Sequence, residues 1–185
     1  MVKEAMIKLF DEIPYLRGEQ ITLRRLSTSD LPALREMTAD ARVYQYLPTF
    51  LFEQQYGDLD RMLDELYGQC FAAKESLILA VERNADATFC GLAEFYGFKD
   101  SLRKTCIGYR LRQDRWGSGI ATAAVALMVG YLFEQTDTEI ITASTMIENH
   151  ASARVLEKNG FIRTARAVPE DWGYPQPTIA DKWFR

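Results

Sequence analysis

The 185-residue chain predicts a mixed α/β fold, a single domain in which helices flank a central sheet. Three observations carry that expectation. Strand-length runs of alternating apolar and polar residues recur along the chain. From Gly119 the period changes to that of a long helix, and no repeat or low-complexity linker divides the pattern. Hydrophobic residues make up 48% and aromatics 12%, enough to fill one core and too many for a disordered chain.

The elements follow in order. Residues 1–18 read as an N-terminal extension, a short helix and then an extended lead-in ending at Gly18, with the domain proper over 19–185. Ile21-Thr22-Leu23-Arg24-Arg25-Leu26 alternates as a half-buried strand does. Ser29 or Asp30 caps the next helix, and Pro32 lies in its first turn, where a missing N–H does no harm. A second helical region runs from about Glu53 to Lys74, with Leu59, Met62, Leu63, Leu66 and Tyr67 on one face. Strands are expected at Leu77–Glu82, Thr88–Phe98 and Thr105–Leu111, the last two joined by a hairpin loop. Ile120, Ala124, Met128 and Leu132 form the stripe of the long helix, widened by Val125 and Val129. Thr138–Thr145 is a strand, and Asn149–Lys158 a short helix stopped by Gly160. Phe161–Val168 and Thr178–Phe184 are the closing strands, separated by a loop rich in Pro, Gly, Trp and Tyr.

Composition excludes several functions. Lysine and arginine number 22 against 26 acids, a net charge of −4, which lacks the basic footprint of a nucleic-acid binder. One histidine and three cysteines (Cys70, Cys90, Cys106) without a C-x-x-C pair make no metal cluster and no disulfide framework. The expected setting is the cytoplasm, with all three thiols reduced. The N-terminus has no signal-peptide pattern, and the apolar stretch Ile120–Phe133 is too short to span a bilayer, so no membrane partner is expected.

The densest chemistry lies in Tyr109-Arg110-Leu111-Arg112-Gln113-Asp114-Arg115-Trp116-Gly117-Ser118-Gly119-Ile120-Ala121-Thr122. A strand ends, a turn holds two glycines one residue apart, and a helix begins. Glycines admit close backbone approach, and the free N–H groups of a first helical turn attract an anion. Arg112 and Arg115 add positive charge, although the same pattern also serves an ordinary strand–turn–helix corner. There is no G-x-x-x-x-G-K-[ST] and no three-glycine dinucleotide fingerprint. Coenzyme A is the pyrophosphate-bearing cofactor that stays open.

A second stretch, Glu148-Asn149-His150-Ala151-Ser152-Ala153-Arg154-Val155-Leu156-Glu157-Lys158-Asn159-Gly160-Phe161, completes the pattern. Together the two stretches resemble the GNAT superfamily of N-acetyltransferases. That family opens its main helix with R/Q-x-x-G-x-G/A, here Asp114 to Gly119, and continues with N-x-x-S/A and K-x-G-F, here Asn149, Ser152, Lys158, Gly160 and Phe161. The likeness covers residues 19–184, and the wording Trp-Gly-x-Gly-Ile-Ala-Thr points to the branch typified by ribosomal-protein N-terminal acetyltransferases.

The resemblance implies a central mixed, mostly antiparallel sheet and transfer of an acetyl group from acetyl-CoA to a primary amine, on a protein or peptide N-terminus or a small metabolite. It implies coenzyme A contacts from Leu111, Arg112, Arg115, Trp116, Gly117, Ser118, Gly119, Ile120, Ala121, Thr122, Asn149, Ser152 and Lys158. It leaves monomer or homodimer undecided. Two departures stand out. Position 114 is Asp where Gln or Arg is usual, which shifts a pyrophosphate contact to Arg112 or Arg115. Position 156 is Leu where many members carry an acid tyrosine, so the resemblance implies that Ser152 meets the leaving thiolate.

Ser152 has a second reading as a residue that satisfies backbone groups near a helix start. Strand alternation puts Glu94 on one face with Leu92 and Tyr96, apolar surroundings that favour the uncharged acid and suit a general base. As an alternative, Glu94 is a wet rim carboxylate. Family members build the acceptor pocket from early helices and the loop before the last strand. Here that loop offers Glu170, Asp171, Trp172 and Tyr174, carboxylates to attract an ammonium group and aromatics to hold it. Asp58, Asp60, Asp64 and Glu65 read as a solvated helix face. The reading from another class is a non-catalytic acyl-CoA-binding regulatory module that keeps the cradle without turnover.

Overall fold

Alternation along Ile21-Thr22-Leu23-Arg24 yields strand β2 (Ile21–Arg24), whose apolar members Ile21 and Leu23 are completely buried. The structure, a computed structural model, describes residues 7–185. β1 (Leu16–Arg17) pairs antiparallel with β2 and opens an eight-stranded sheet. The other strands are β3 (Ser76–Arg83), β4 (Thr88–Lys99), β5 (Lys104–Leu111), β6 (Ile140–Met146), β7 (Ile162–Glu170) and β8 (Thr178–Phe184). Their order is β1-β2-β3-β4-β5-β6-β8-β7, antiparallel throughout except for the parallel pair β5/β6. The fold is a mixed, mostly antiparallel sheet flanked by helices.

Side-chain alternation divides the core between the two faces. Leu77, Leu79 and Val81 of β3 and Ala93 and Phe95 of β4 pack beneath α4 (Ile120–Gln135) and α5 (His150–Lys158). Ile78, Ala80 and Leu92 pack beneath α1 (Leu31–Thr38), α2 (Ala41–Tyr44) and α3 (Leu59–Glu65). Both faces of β3 are covered, so it reads as one continuous apolar run. Each fully buried leucine in these layers contributes about 2 kcal/mol relative to an exposed one.

Several elements differ from the sequence expectations. The short helix expected before Gly18 falls partly on residues 1–6, which lie outside the described residues. From residue 7 onward the segment forms a turn around Phe10 and then the short strand β1, and it joins the fold through an Ile7–Thr136 bridge and burial of Leu9, Phe10 and Leu16. The continuous helix expected from Glu53 to Lys74 is broken. A single tight turn spans Phe52–Gln54, α3 begins only after Asp58 caps it, and Leu66–Cys70 widens into a π-type turn. The Asp58 carboxylate accepts from the Asp60 and Arg61 N–H groups, so a residue read as surface charge fixes the helix start. The strand expected over Ile21–Leu26 stops at Arg24, two residues early, and the Leu26 N–H goes to the Tyr67 hydroxyl at 2.8 Å rather than to a strand. β6 starts at Ile140, because the Asp137 N–H goes to the Ile7 carbonyl and the Thr138 N–H to the Thr136 hydroxyl rather than to a strand.

Among the described residues no helix is long and apolar enough to cross a membrane.

Candidate active site

β5 and β6 pair only over Lys104–Cys106 and Ile140–Thr142. Beyond that point β5 stays with β4, while β6 turns to β8 over Thr142–Met146. The strands part, and the β6-facing backbone groups between Ile107 and Leu111 have no strand partner. A cleft of about 1290 Å³ opens through the sheet there. Its walls come from β4, β5, β6, the start of α4, the start of α5 and the loop around Tyr46–Phe52.

At one end lies the glycine turn. Gly117 (φ 70°) and Gly119 (φ 82°) adopt left-handed backbone, and a Cβ on either would project into open space. α4 begins at Ile120, so the first-turn N–H groups of Ile120, Ala121 and Thr122 line the cleft with no intrahelical partner. Arg115 also lines it, and among the described residues its buried Nε has no hydrogen-bond partner. An orphaned guanidinium donor beside free helix N–H groups fits a polyphosphate ligand. Asp114 lies between Arg112 and Arg115, at 3.2 and 3.4 Å. Arg112 is held away from the cleft by Asp114 and Glu36, and Ser118 also lies outside, donating to the Arg115 carbonyl at 2.6 Å. Of the two arginines, Arg115 faces the ligand space. Trp116 lines the cleft with its indole N–H anchored on the Leu111 carbonyl at 3.0 Å. Lys158 lines it from α5.

On α5, the Asn149 side chain caps the helix by accepting from the Ser152 N–H at 3.1 Å. The Ser152 hydroxyl is therefore not the cap. It accepts instead from the Tyr109 hydroxyl of β5, also at 3.1 Å, and both line the cleft. Burial pushes the Tyr109 phenol up to about 12, so it stays protonated and donating. Leu156 is buried and lines the cleft, but it brings no hydroxyl to it.

Across the sheet sits a buried ionic cluster. Arg110 donates to both oxygens of Glu53, at 2.6 and 2.5 Å, and to Glu94 at 2.6 Å. Tyr44 donates to Glu53 and Ser76 to Glu94. Burial opposes the charge on Arg110, but the two carboxylates outweigh it and keep it cationic. Glu94 shares its face with Leu92 and Tyr96 as alternation requires, yet its immediate neighbours are a guanidinium and a hydroxyl rather than apolar surface. One cation against two carboxylates leaves a net charge of −1, and Glu94 presents it to the cleft.

The acceptor-loop residues divide. Glu170, Asp171 and Trp172 line the cleft, whereas Tyr174 lines a separate small pocket and donates to the Leu47 carbonyl. Glu170 is already paired with Lys182 and accepts from the Trp172 indole, and Asp171 accepts from the Gly173 N–H. Trp172 is buried, and its carbonyl accepts from Thr49 N–H at 2.9 Å, docking this loop onto the loop after α2. Tyr109 and Arg110 lie in the stretch that the sequence singles out, but sequence reasoning assigned no site role to them, to Glu53 or to Lys182. A charged residue inside the strand Thr105–Leu111 was the available signal for Arg110; nothing local marks its partner.

The family model described as "Acetyltransferase (GNAT) domain" matches residues 20–162. The chain belongs to the GNAT acetyltransferase family. Among curated relatives, the probable N-acetyltransferase YjcK of Bacillus subtilis is 42% identical over 149 residues, covering 79% of this chain and 82% of that protein. The putative ribosomal N-acetyltransferase YdaF of B. subtilis is 29% identical over 152 residues, covering 81% and 82%. The spermidine N-acetyltransferase of Vibrio cholerae, solved with CoA and spermine, superposes with a TM-score of 0.74 at 21% identity, covering 91% of this chain and 96% of that one. The ribosomal branch is not singled out by these matches.

Proposed function

We propose that this GNAT chain binds acetyl-CoA in the cleft between β5 and β6 and transfers its acetyl group to a primary amine by direct attack. The observation that carries the reading is the parting of β5 from β6 beside a glycine-started helix with an unpartnered Arg115 Nε. A non-catalytic acyl-CoA-binding module would need that cradle alone; the charged acceptor side of the cleft and the Tyr109–Ser152 pair favour turnover.

The first-turn N–H groups of α4, Gly117, Gly119 and Arg115 would hold the pyrophosphate, with Trp116, Asn149 and Lys158 flanking the rest of the cofactor. When bound, acetyl-CoA supplies a thioester whose carbonyl is attacked and whose thiolate leaves. Backbone N–H groups of β5 near Leu111, unpaired on the β6 side, are placed to stabilise charge on a carbonyl oxygen. Ser152 offers a hydrogen bond to a leaving thiolate. Glu94 attracts the acceptor as an ammonium ion and supplies the carboxylate nearest to receive its proton, directly or through water. Trp172 supplies an aromatic wall on the same side. Three unpaired thiols fit a reducing compartment and support a cytoplasmic setting for the reaction.

The test is a screen of peptides, polyamines, amino acids and aminoglycosides with acetyl-CoA, reading acetylated product by mass. Amine-dependent product supports the reading. Binding of acetyl-CoA without product from any amine would leave the non-catalytic module.

A further inference from the structure

The motif that makes Ser152 a candidate does not say what orients its hydroxyl. A serine hydroxyl rotates freely, and one that points its proton at a backbone carbonyl of its own helix is useless to a ligand. Three features of this cleft remove that freedom. Asn149 takes over the capping role at the start of α5, which leaves the Ser152 side chain unspent. Tyr109 reaches from β5, after the point where β5 and β6 have parted, and donates to Ser152 Oγ at 3.1 Å. Residue 156, one turn further along α5, is a buried leucine and brings no hydroxyl of its own.

We propose that Tyr109 is a positioning residue that fixes Ser152 as a hydrogen-bond donor toward the coenzyme A sulfur. The inference rests on the acetyl-CoA reading of the cleft. Because Oγ of Ser152 accepts the phenolic proton, its own proton turns outward into the cleft. A donor so polarised is stronger than a lone serine, since each bond of a chain reinforces the next. The pair stabilises a thiolate without surrendering a proton to it. The phenol stays protonated across the working range of pH, so the orientation does not switch with pH.

The test needs no acceptor amine. Coenzyme A is bound to wild type, Tyr109→Phe, Ser152→Ala and the double variant, and desulfo-coenzyme A is bound to each as the blank that cancels Cys70, Cys90 and Cys106. The thiolate absorbance is then followed with pH. Hydrogen bonding to the charged form lowers a pKa, so the wild-type complex should form thiolate about one pH unit below free coenzyme A. Tyr109→Phe and Ser152→Ala should each return the midpoint to that of free coenzyme A, and the double variant should move it no further. A Tyr109→Phe midpoint equal to wild type, or additive single effects, overturns the proposal while leaving the cleft reading intact. Absence of any coenzyme A binding, read by thermal shift on folded wild type, overturns both. A Tyr109→Phe melting temperature like that of wild type shows that the change is not a loss of fold.

Discussion

Cys106 of β5 and Thr142 of β6 form the last cross-strand pair before the two strands part, and their side chains meet at 3.0 Å. The candidate-site residues are arranged around the gap that begins at that pair. The glycine turn and α5 line one side of it, and the Arg110 cluster lines the other.

The cradle predicts a charge effect separable from backbone strain. Asparagine tolerates the left-handed conformation that Gly119 adopts, and aspartate has the same shape with a negative charge. Gly119→Asn should retain coenzyme A binding, while Gly119→Asp should weaken it by about a further tenfold, or about 1.4 kcal/mol. Isothermal titration measures both. Arg115→Gln should also weaken binding more than Arg112→Gln, because Arg112 is held by Glu36 and Asp114.

The acceptor side predicts a split between two glutamates. Glu94 presents the net negative charge of its cluster, whereas Glu170 is neutralised by Lys182. Glu94→Gln should raise the KM for a cationic amine by about tenfold with the KM for acetyl-CoA unchanged, and Glu170→Gln should change neither by more than about twofold. Steady-state kinetics on any amine that turns over decides this. A larger effect at Glu170 would move the ammonium site to the loop before β8.

Gly91 predicts a stability loss. A Cβ there would stand 2.2 Å from the Arg110 carbonyl oxygen and 2.7 Å from the Leu111 Cα. Neither is the end of a flexible side chain, so β4 and β5 would have to separate. Gly91→Ala should destabilise the fold by about 2–3 kcal/mol in urea unfolding.

Asp30 predicts an acid-sensitive contribution. Burial pushes its carboxyl up, but a bidentate bond from Arg24 at 2.8 Å and the Ser27 N–H outweigh this and hold it below the ordinary value. A carboxyl lowered in the folded state stabilises above its unfolded pKa, and that stabilisation is lost as pH falls through the folded value. Asp30→Asn should therefore cost about 3 kcal/mol near neutrality. Its penalty relative to wild type should shrink as pH drops below 3.8, the ordinary carboxyl value. Urea titrations of both proteins across that range measure the convergence.

What the sequence determined by itself are the features whose cause is local. Alternation in β2, the continuous apolar run of β3, the apolar stripe of α4, the Asn149 cap of α5 and the left-handed glycines before α4 each depend on neighbours within a turn or a strand. Both motifs, and with them the expected fold, follow from such short-range patterns. The break at Leu66–Cys70 is different, because apolar spacing continues through a π-type turn without announcing it. Only the tertiary structure decided which arginine faces the cleft, that Glu94 meets Arg110 rather than apolar surface, and that Tyr174 leaves the site for Leu47. It alone brought Tyr109 to Ser152 across 43 positions and Arg110 to Glu53 across 57. The physical reason is that periodicity assigns a side chain to a face, whereas its partner on that face is set by how strands and helices from distant segments stack.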